Sequence, residues 1–357
     1  MRYVPTNCLR VGQVLAHNLI LDSKRLMLRK GIPLTDGHIQ KIRQLGFQGV
    51  YIDDNLSADI QIANLISDEL KQKINREVRS MFVDAEISLG RRAFNNMDRL
   101  KDVVGNIVDE IMHDKDAMVN IVDIRAYDDY TFSHSINVAL LSCILGTVLG
   151  LDKISLNELT MGALLHDIGK VFIDKRIINK PSKLTPEELE QARRHSILGY
   201  NYLSASRSIP ETVKVVARTH HEQFCGQGYP AGLSGKQIHL YSRVVSIADV
   251  YDALVSDRPY RRAMLPSDAM EYIMSGYNTM FDPDIVAAFT RRIAPYPLGT
   301  CVKLSNGEIG IVVYNYEFAC LRPKIRIIRD KKPIDEYIDL AKDYSTLNVT
   351  ITEIADI

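Results

Sequence analysis

The run Leu164-Leu165-His166-Asp167-Ile168-Gly169-Lys170 places an imidazole, a carboxylate and an ammonium in the middle of an otherwise apolar helical stretch. Such a trio fills a core poorly, because a polar group stripped of water is costly unless something takes its lone pairs or its charge. It suits a divalent cation held beside a phosphate, with His166 and Asp167 as ligands and Lys170 as a point charge on a phosphate oxygen. The competing, purely structural role for Lys170 is to pair with Asp167. His134, His195, the pair His220-His221 and Asp249 offer the same donor chemistry elsewhere in the chain.

Each of these residues falls where an apolar stripe at helical spacing expects a core side chain. One predicted helix runs His134, Val138, Leu141, Leu145, and a second runs Leu159, Gly162, Ala163, His166, Lys170. A third opens on the capping box Thr185-Pro186-Glu187-Glu188 and carries Leu189, Ala192, His195, Gly199 and Leu203. A fourth opens at Ser208-Ile209-Pro210-Glu211 and carries Val213, Val216, Ala217 and His220; a fifth carries Val245, Asp249 and Asp252. Any one of them alone reads as a hydrogen-bonded core residue. Together, several imidazoles and two carboxylates turned into one bundle core demand a cation.

Nitrogen and oxygen donors without thiolate suit Fe, Mn, Zn, Ni or Co and disfavour a purely structural zinc. The adjacent pairs His166-Asp167 and His220-His221 point to more than one ion. Neighbours on a helix splay by about 100°, so one carboxylate can bridge two metals while the histidine beside it binds one. A two-metal site clamps an in-line phosphoryl displacement.

Beyond His220-His221-Glu222, the loop Gln223-Phe224-Cys225-Gly226-Gln227-Gly228-Tyr229-Pro230 sets two glycines before a Tyr-Pro. Its ring is either held over the site to stack on a base or packed in an ordinary turn. Arg258, Arg261 and Arg262 cluster a few residues past Asp249. Their forks match phosphates and guanine edges, or they line a solvated basic loop.

Taken together, these segments resemble the HD-GYP family of metal-dependent phosphohydrolases. The match runs through His134-Ser135, His166-Asp167-Ile168-Gly169-Lys170, His195-Ser196-Ile197-Leu198-Gly199, His220-His221-Glu222 and Gly228-Tyr229-Pro230. It continues through residues 246–254, Arg258-Pro259-Tyr260-Arg261 and Met280-Phe281-Asp282-Pro283, covering roughly 120–292. The resemblance implies an all-α HD-type helical bundle that hydrolyses cyclic-di-GMP to the linear dinucleotide pGpG. It implies two divalent transition-metal ions, iron or manganese, held by His134, His166, Asp167, His195, His220, His221 and Asp249. Catalytic roles go to Asp167 and Lys170, and substrate contacts to Lys170, Tyr229, Arg258, Arg261 and Asp252. The rival readings are an HD phosphohydrolase acting on another nucleotide such as cyclic GMP-AMP, and a catalytically weak cyclic-dinucleotide sensor.

Members of that family with three metals carry a glutamate four residues before the first histidine. Tyr130 stands there in this chain, so two metals are expected. Cys225 occupies a loop position that is commonly aspartate and brings a thiol, open to oxidation, near the site.

The 357 residues allow several domains, each with its own core. The chain reads as mainly α: a small α+β N-terminal module of structural or regulatory role over 1–57, a helical connector over 58–118, the catalytic helical domain over 119–295 and a small β-rich domain over 296–357. In the first module, short β-type runs at 14–15, 18–21, 26–28 and 50–52 flank one helix. That helix starts at Thr35, carries Ile39, Ile42 and Leu45, and ends at Gly46. The connector reads as helical throughout, with the stripe Ile62, Leu65, Ile66, Leu70, Ile74, Val78, Met81. It serves either as a homodimer seam or as one wall of the bundle. In the last domain, Asn306-Gly307 between 302–305 and 309–314 predicts a hairpin with a type I′ turn, and 324–328 and 347–351 add strands.

Lys plus Arg equals Asp plus Glu at 44 each, so no global field draws the chain to a nucleic acid polymer or a membrane. A cyclic dinucleotide must therefore be held by local charge. Five scattered cysteines without CxxC spacing suit a reducing compartment. No apolar h-region follows Met1, and the longest apolar run, 138–151, is too short to span a bilayer. The expected location is the cytoplasm.

Overall fold

The structure, a computed structural model, describes residues 1–22, 25–45, 47, 49–57, 59–60, 66–88, 97–113, 119–120, 130–256, 263–330 and 332–355. Arg258 and Arg261 lie outside the described residues, as do Ile62, Leu65 and the side chain of Tyr130. The chain divides into two compact units: Met1–Asn64 with Ala117–Tyr127 and Thr290–Ile357, and Leu65–Asp116 with Asp128–Phe289.

In the first unit, β1 (Arg2–Pro5), β2 (Val14–Leu15) and β5 (Gly49–Asp53) form an antiparallel sheet in the order β1-β5-β2. Strands β3 (Leu19–Asp22) and β4 (Arg25–Leu28) make a separate hairpin. Helix α1 (Asp36–Gln44) starts where Thr35 Oγ1 accepts from the His38 N–H, while His38 Nδ1 accepts from the Thr35 N–H. Ile39 and Ile42 pack with Val4, Leu15, Leu34 and Ile52. Leu45 does not continue that stripe: the helix has ended, and its side chain turns out to solvent.

The C-terminal sheet of the same unit has the order β11-β10-β9-β8-β12, built from β8 (Cys301–Leu304), β9 (Ile309–Tyr314), β10 (Lys324–Arg329), β11 (Lys332–Asp339) and β12 (Ile351–Ile354). Ahead of it, β6 (Val119–Asn120) pairs in parallel with β7 (Ile293–Ala294). The 302–314 hairpin forms, but its turn is not type I′. Only Gly307 has a positive φ, +88°, and its N–H closes the turn on the Leu304 carbonyl. β11 escapes the sequence pattern because its run KPIDEYID is largely polar, as an edge strand tolerates. The last strand begins at Ile351, after a 3-10 turn at Tyr344–Thr346 that leaves Leu347 exposed.

The second unit is helical: α2 (Asp68–Ser88), α3 (Met97–His113), α4 (Tyr130–Val148), α5 (Lys153–Leu165), α6 (Lys175–Ile178), α7 (Pro186–Arg193), α8 (His195–Ser204), α9 (Glu211–Thr219), α10 (Leu240–Val255) and α11 (Pro266–Ser275), followed by α12 (Pro283–Arg292). The stretch expected to be helical throughout resolves into α2 and α3 among the described residues. Both pack on α4, and Ile66, Leu70, Ile74, Val78 and Met81 are buried. That stripe is a wall of the bundle, already covered from within the unit.

Helix α4 is buried on every side over 133–146, with Ser133, His134, Ser135, Asn137 and Ser142 among its apolar residues, and α5 and α10 close around it. Gly146 lets α5 approach: a Cβ there would sit 2.7 Å from both Leu156 Cδ2 and Leu159 Cδ2. Gly105, in the middle of α3, has nothing nearer its virtual Cβ than Asn157 Oδ1 at 3.9 Å. Gly105→Ala is therefore expected to raise stability by ~0.5–1 kcal/mol, read as an upward shift of the urea midpoint.

Candidate metal centre

The predicted ligands converge, but several reach the centre from helix ends instead of helix faces. His134 lies on α4, and Asp249 and Asp252 on α10. Helix α5 stops at Leu165, leaving His166 as its C-cap and Asp167 at the head of a 3-10 turn, Ile168–Phe172. The third predicted stripe breaks at Arg194. The Thr185–Glu188 capping box opens α7, Leu189 is exposed, and His195 begins α8. His220 is the C-cap of α9, with His221 just beyond. At such ends the backbone can turn, so both members of an adjacent pair face one site. The rings of His220 and His221 are 4.0 Å apart.

Two close approaches make this possible. A Cβ on Gly169 would run into the His195 carbonyl oxygen and lie 2.6 Å from Gly199 N, so only glycine lets the 3-10 turn rest on the start of α8. On Gly162 a Cβ would already touch Val216 Cγ2 at 3.0 Å, which draws α5 and α9 together.

Asp167 is the hub. Its oxygens lie 3.3 Å from His166 Nε2, 3.4 Å from His195 Nε2, 3.7 Å from His134 Nε2 and 3.9 Å from His220 Nε2. Asp249 lies 3.1 Å from His134 Nε2 and 3.8 Å from His221 Nδ1. Lys170 Nζ donates to Asp167 Oδ2, the pairing its spacing allowed, and its side chain stays part-exposed. Burial, the largest influence on Asp167, works against its charge. The Lys170 ammonium and the surrounding imidazoles overcome it and hold the group well below the usual carboxylate range.

The backs of the rings are tied down. His166 Nδ1 donates to the Ala163 carbonyl (2.6 Å), His195 Nδ1 to Ala192 (2.7 Å), and His220 Nδ1 to Val216 and Ala217 (3.1 Å each). A carbonyl can only accept, so Nδ1 carries the proton and Nε2 keeps its lone pair toward Asp167. Burial first, then neighbouring imidazoles, push His220 well below its ordinary range. Burial likewise lowers His221, to about 3, and His195. All three are neutral donors. His134 differs: burial pulls it down, but hydrogen bonds to Asp249 and Asp252 push it up to about 9, so the pocket favours positive charge there.

Asp252, expected to touch substrate, does not face the centre. It is fully buried, and its two oxygens accept from His134 Nδ1 (2.7 Å) and Asn137 Nδ2 (2.9 Å). It orients the His134 ring. Asp252→Asn is expected to lower metal affinity or turnover by about 10–100-fold while leaving the melting transition cooperative, the usual consequence of losing a ligand's hydrogen-bond partner. Metal titration and steady-state kinetics read the two effects.

Two residues with no role in the sequence reading shape the loop. The buried Glu222 carboxylate accepts from the Ala231 and Leu233 N–H groups (2.7 and 3.0 Å) and so closes the loop beneath Tyr229. Arg193 sets its guanidinium carbon 5.0 Å from the centre of the Tyr229 ring. Tyr229 itself stacks on His221 at 4.7 Å and 27°, packed against the cluster. Gly228 has no room for a Cβ against Gln223 N and Glu222 Cα. Cys225 is exposed, and its backbone N–H bonds the Thr279 carbonyl at 2.7 Å, so the loop is held there through the main chain. Glu222 was marked only by being a carboxylate directly after two histidines, and Arg193 by standing two residues before His195.

The cluster fits a metal. His166 Nε2 and Asp167 Oδ1 are buried without a hydrogen-bond partner, an expensive state that a cation relieves. Two ligand groups share Asp167: His134, His166 and Asp167, and Asp167, His195, His220 and His221. A third group joins His166, His220 and Asp249. Among the described residues, no helix is long and apolar enough to cross a membrane.

A family model described as HD domain matches residues 61–285, and one described as KOW domain associated with HD domain matches 301–356. A Pseudomonas aeruginosa protein named cyclic di-GMP phosphodiesterase is 35% identical over 74% of this chain and 64% of its own length. A Thermotoga maritima protein with the same name is 38% identical over 46% of this chain and 45% of its own length. A Vibrio cholerae protein named 3'3'-cGAMP-specific phosphodiesterase 1 is 39% identical over 46% of this chain and 37% of its own length. The chain thus spans less than two thirds of each of these relatives. Among solved structures, an HDG"Y"P protein from Bdellovibrio bacteriovorus superposes with a TM-score of 0.50 at 21% identity, over 80% of this chain and 97% of that one. It shares the fold: a helical core with small sheets.

Proposed function

Because the chain belongs to the HD domain family, in its HD-GYP branch, we propose that it is a metal-dependent phosphodiesterase that opens cyclic-di-GMP to linear pGpG. The observation that carries this reading is the meeting of five imidazoles and two carboxylates in one buried cluster, with the far nitrogens of His166, His195 and His220 anchored on backbone carbonyls so that their lone pairs point inward. Two ions, iron or manganese, suit this donor set, and Asp167 is the ligand they would share. His134 and His166 would complete one ligand group around Asp167 and His195, His220 and His221 the other, with Asp249 lying near both His134 and His221. Divalent cations bound there supply Lewis-acid polarisation of the phosphodiester and a lowered pKa for water.

The chain's own residues do the rest. Asp167 stays ionised and keeps the imidazoles in register. Lys170 uses one of its three donors on Asp167 and presents the others to a phosphate oxygen, where negative charge builds as the bond breaks. Tyr229, braced by His221 and Arg193, gives the entering nucleotide a flat wall. Arg258 and Arg261 would take the outer phosphates or the guanine edges. All five cysteines are free, which suits the cytoplasm.

The test is direct. Protein loaded with iron or manganese under reducing conditions is expected to convert cyclic-di-GMP to pGpG, and to lose that activity when chelated. Relatives of both substrate names keep cyclic GMP-AMP as the alternative: turnover of that compound with none of cyclic-di-GMP moves the assignment. Tight binding without turnover makes the protein a sensor.

A further inference from the structure

We propose that the C-terminal sheet carries a second ligand site, a pocket for a small nucleotide formed by tyrosine rings and two lysines. A cavity of about 400 Å³ opens on that sheet, lined by Val313, Tyr314, Tyr316, Lys324, Tyr337 and Lys342. Three strands supply it: Tyr314 ends β9, Lys324 begins β10 directly opposite it, and Tyr337 lies on β11. None of these residues belongs to the histidine cluster.

The rings are exposed where a sheet would gain by covering them. Tyr314 is 55% and Tyr337 45% exposed, and Phe318, tilted against Tyr316 with centroids 5.3 Å apart, is 70% exposed. Aromatic surface grouped in this way marks a binding site more often than a bare surface. Lys324 Nζ lies 4.8 Å from the Tyr337 ring centre, and Lys342 Nζ 4.9 Å from that of Tyr316. Neither ammonium is paired with a carboxylate among the described residues. The nearby Asp339, opposite Lys324 in the strand register, forms no ion pair with either lysine. Its oxygens take the Tyr316 hydroxyl (2.6 Å) and the N–H groups of Ala341 and Lys342 (3.2 and 3.0 Å).

Flat rings beside unpaired ammoniums match a base joined to a phosphate. Stacking accepts any base, and lysine serves a phosphate as a point charge. The cavity volume falls at the low end of small-ligand sites, about 300–1,000 Å³. One or two nucleotides fit it; a nucleic acid strand needs a longer track of rings and charge. The chain's balanced total charge makes this local pair of lysines the source of any anion preference.

The full chain, treated with EDTA so that hydrolysis is off, is titrated calorimetrically with GMP and with linear pGpG. The expected result is a binding component that weakens ~10-fold or more in Tyr337→Ala, where a stacking ring is lost, and comparably in Lys342→Glu, while Tyr337→Phe binds like the parent. Both positions are exposed or part-exposed, so the variants keep the fold. The same variants, metal-loaded, are expected to hydrolyse cyclic-di-GMP within twofold of the parent, which separates this site from the catalytic reading. Binding unchanged in both Tyr337→Ala and Lys342→Glu, or no binding at millimolar nucleotide, overturns the proposal. Affinity that climbs with every nucleotide beyond two also overturns it, in favour of a nucleic acid strand.

Discussion

Asp167→Asn is expected to empty the metal centre and reduce hydrolysis by at least ~10²–10³-fold, the scale for removing one group that stabilises charge at a reacting centre, while the helices remain. Asparagine keeps the volume and removes the charge. Four imidazole nitrogens lie within 3.3–3.9 Å of this carboxylate, and two ligand groups contain it, so no neighbouring donor can replace it. The companion His166→Ala acts on the fully buried ring whose Nδ1 is bound to Ala163 and whose Nε2 is left for a cation. The apolar packing of α4, α5 and α10 does not depend on either group, so circular dichroism should change little. Metal content by mass spectrometry, measured with kinetics, separates the possibilities. Unchanged metal in either variant refutes that ligand assignment, even if activity falls.

Gly169→Ala is the largest structural effect expected from adding a single carbon. The new Cβ meets the His195 carbonyl oxygen and also lies 2.8 Å from the His195 carbonyl carbon. These are backbone atoms at the head of a helix and cannot rotate away as a side chain could. Either the 3-10 turn that follows Asp167 or the start of α8 must move, and each carries a ligand. Overpacking of this kind costs ~1–3 kcal/mol or more, read as a lower urea midpoint together with lost metal. Gly199→Ala should be milder, since its nearest neighbour, Gly169 N, lies 3.2 Å away. The order Gly169, Gly199, Gly105, running from loss to gain, is what the geometry requires; a Gly169→Ala protein as stable as the parent contradicts it.

Much of the site was legible in the linear chain. His134, His166, Asp167, His195, His220, His221 and Asp249 stand at apolar-stripe spacing or beside it, and the structure brings all of them together. The Thr185–Glu188 capping box, the start of α1 at Thr35 and the 302–314 hairpin were readable too, because caps and turns are set by residues a few positions apart. Such features are local, and so is the hydrophobic period that marks which faces are buried.

The tertiary structure alone decided the partners of the buried polar groups. Asp252 could be placed on a helix from its spacing, but its hold on His134 crosses 118 positions. For Lys170 both roles were open in the sequence, and the structure pairs it with Asp167 three positions away; the break between α7 and α8 that makes His195 a helix start was not marked in the stripe. The stripe on α2 also could not reveal whether a second chain or its own bundle would cover it. Hydrophobic spacing specifies that a side chain is buried, and burial requires a partner for every polar atom. Which atom answers depends on contacts that close only when distant segments pack.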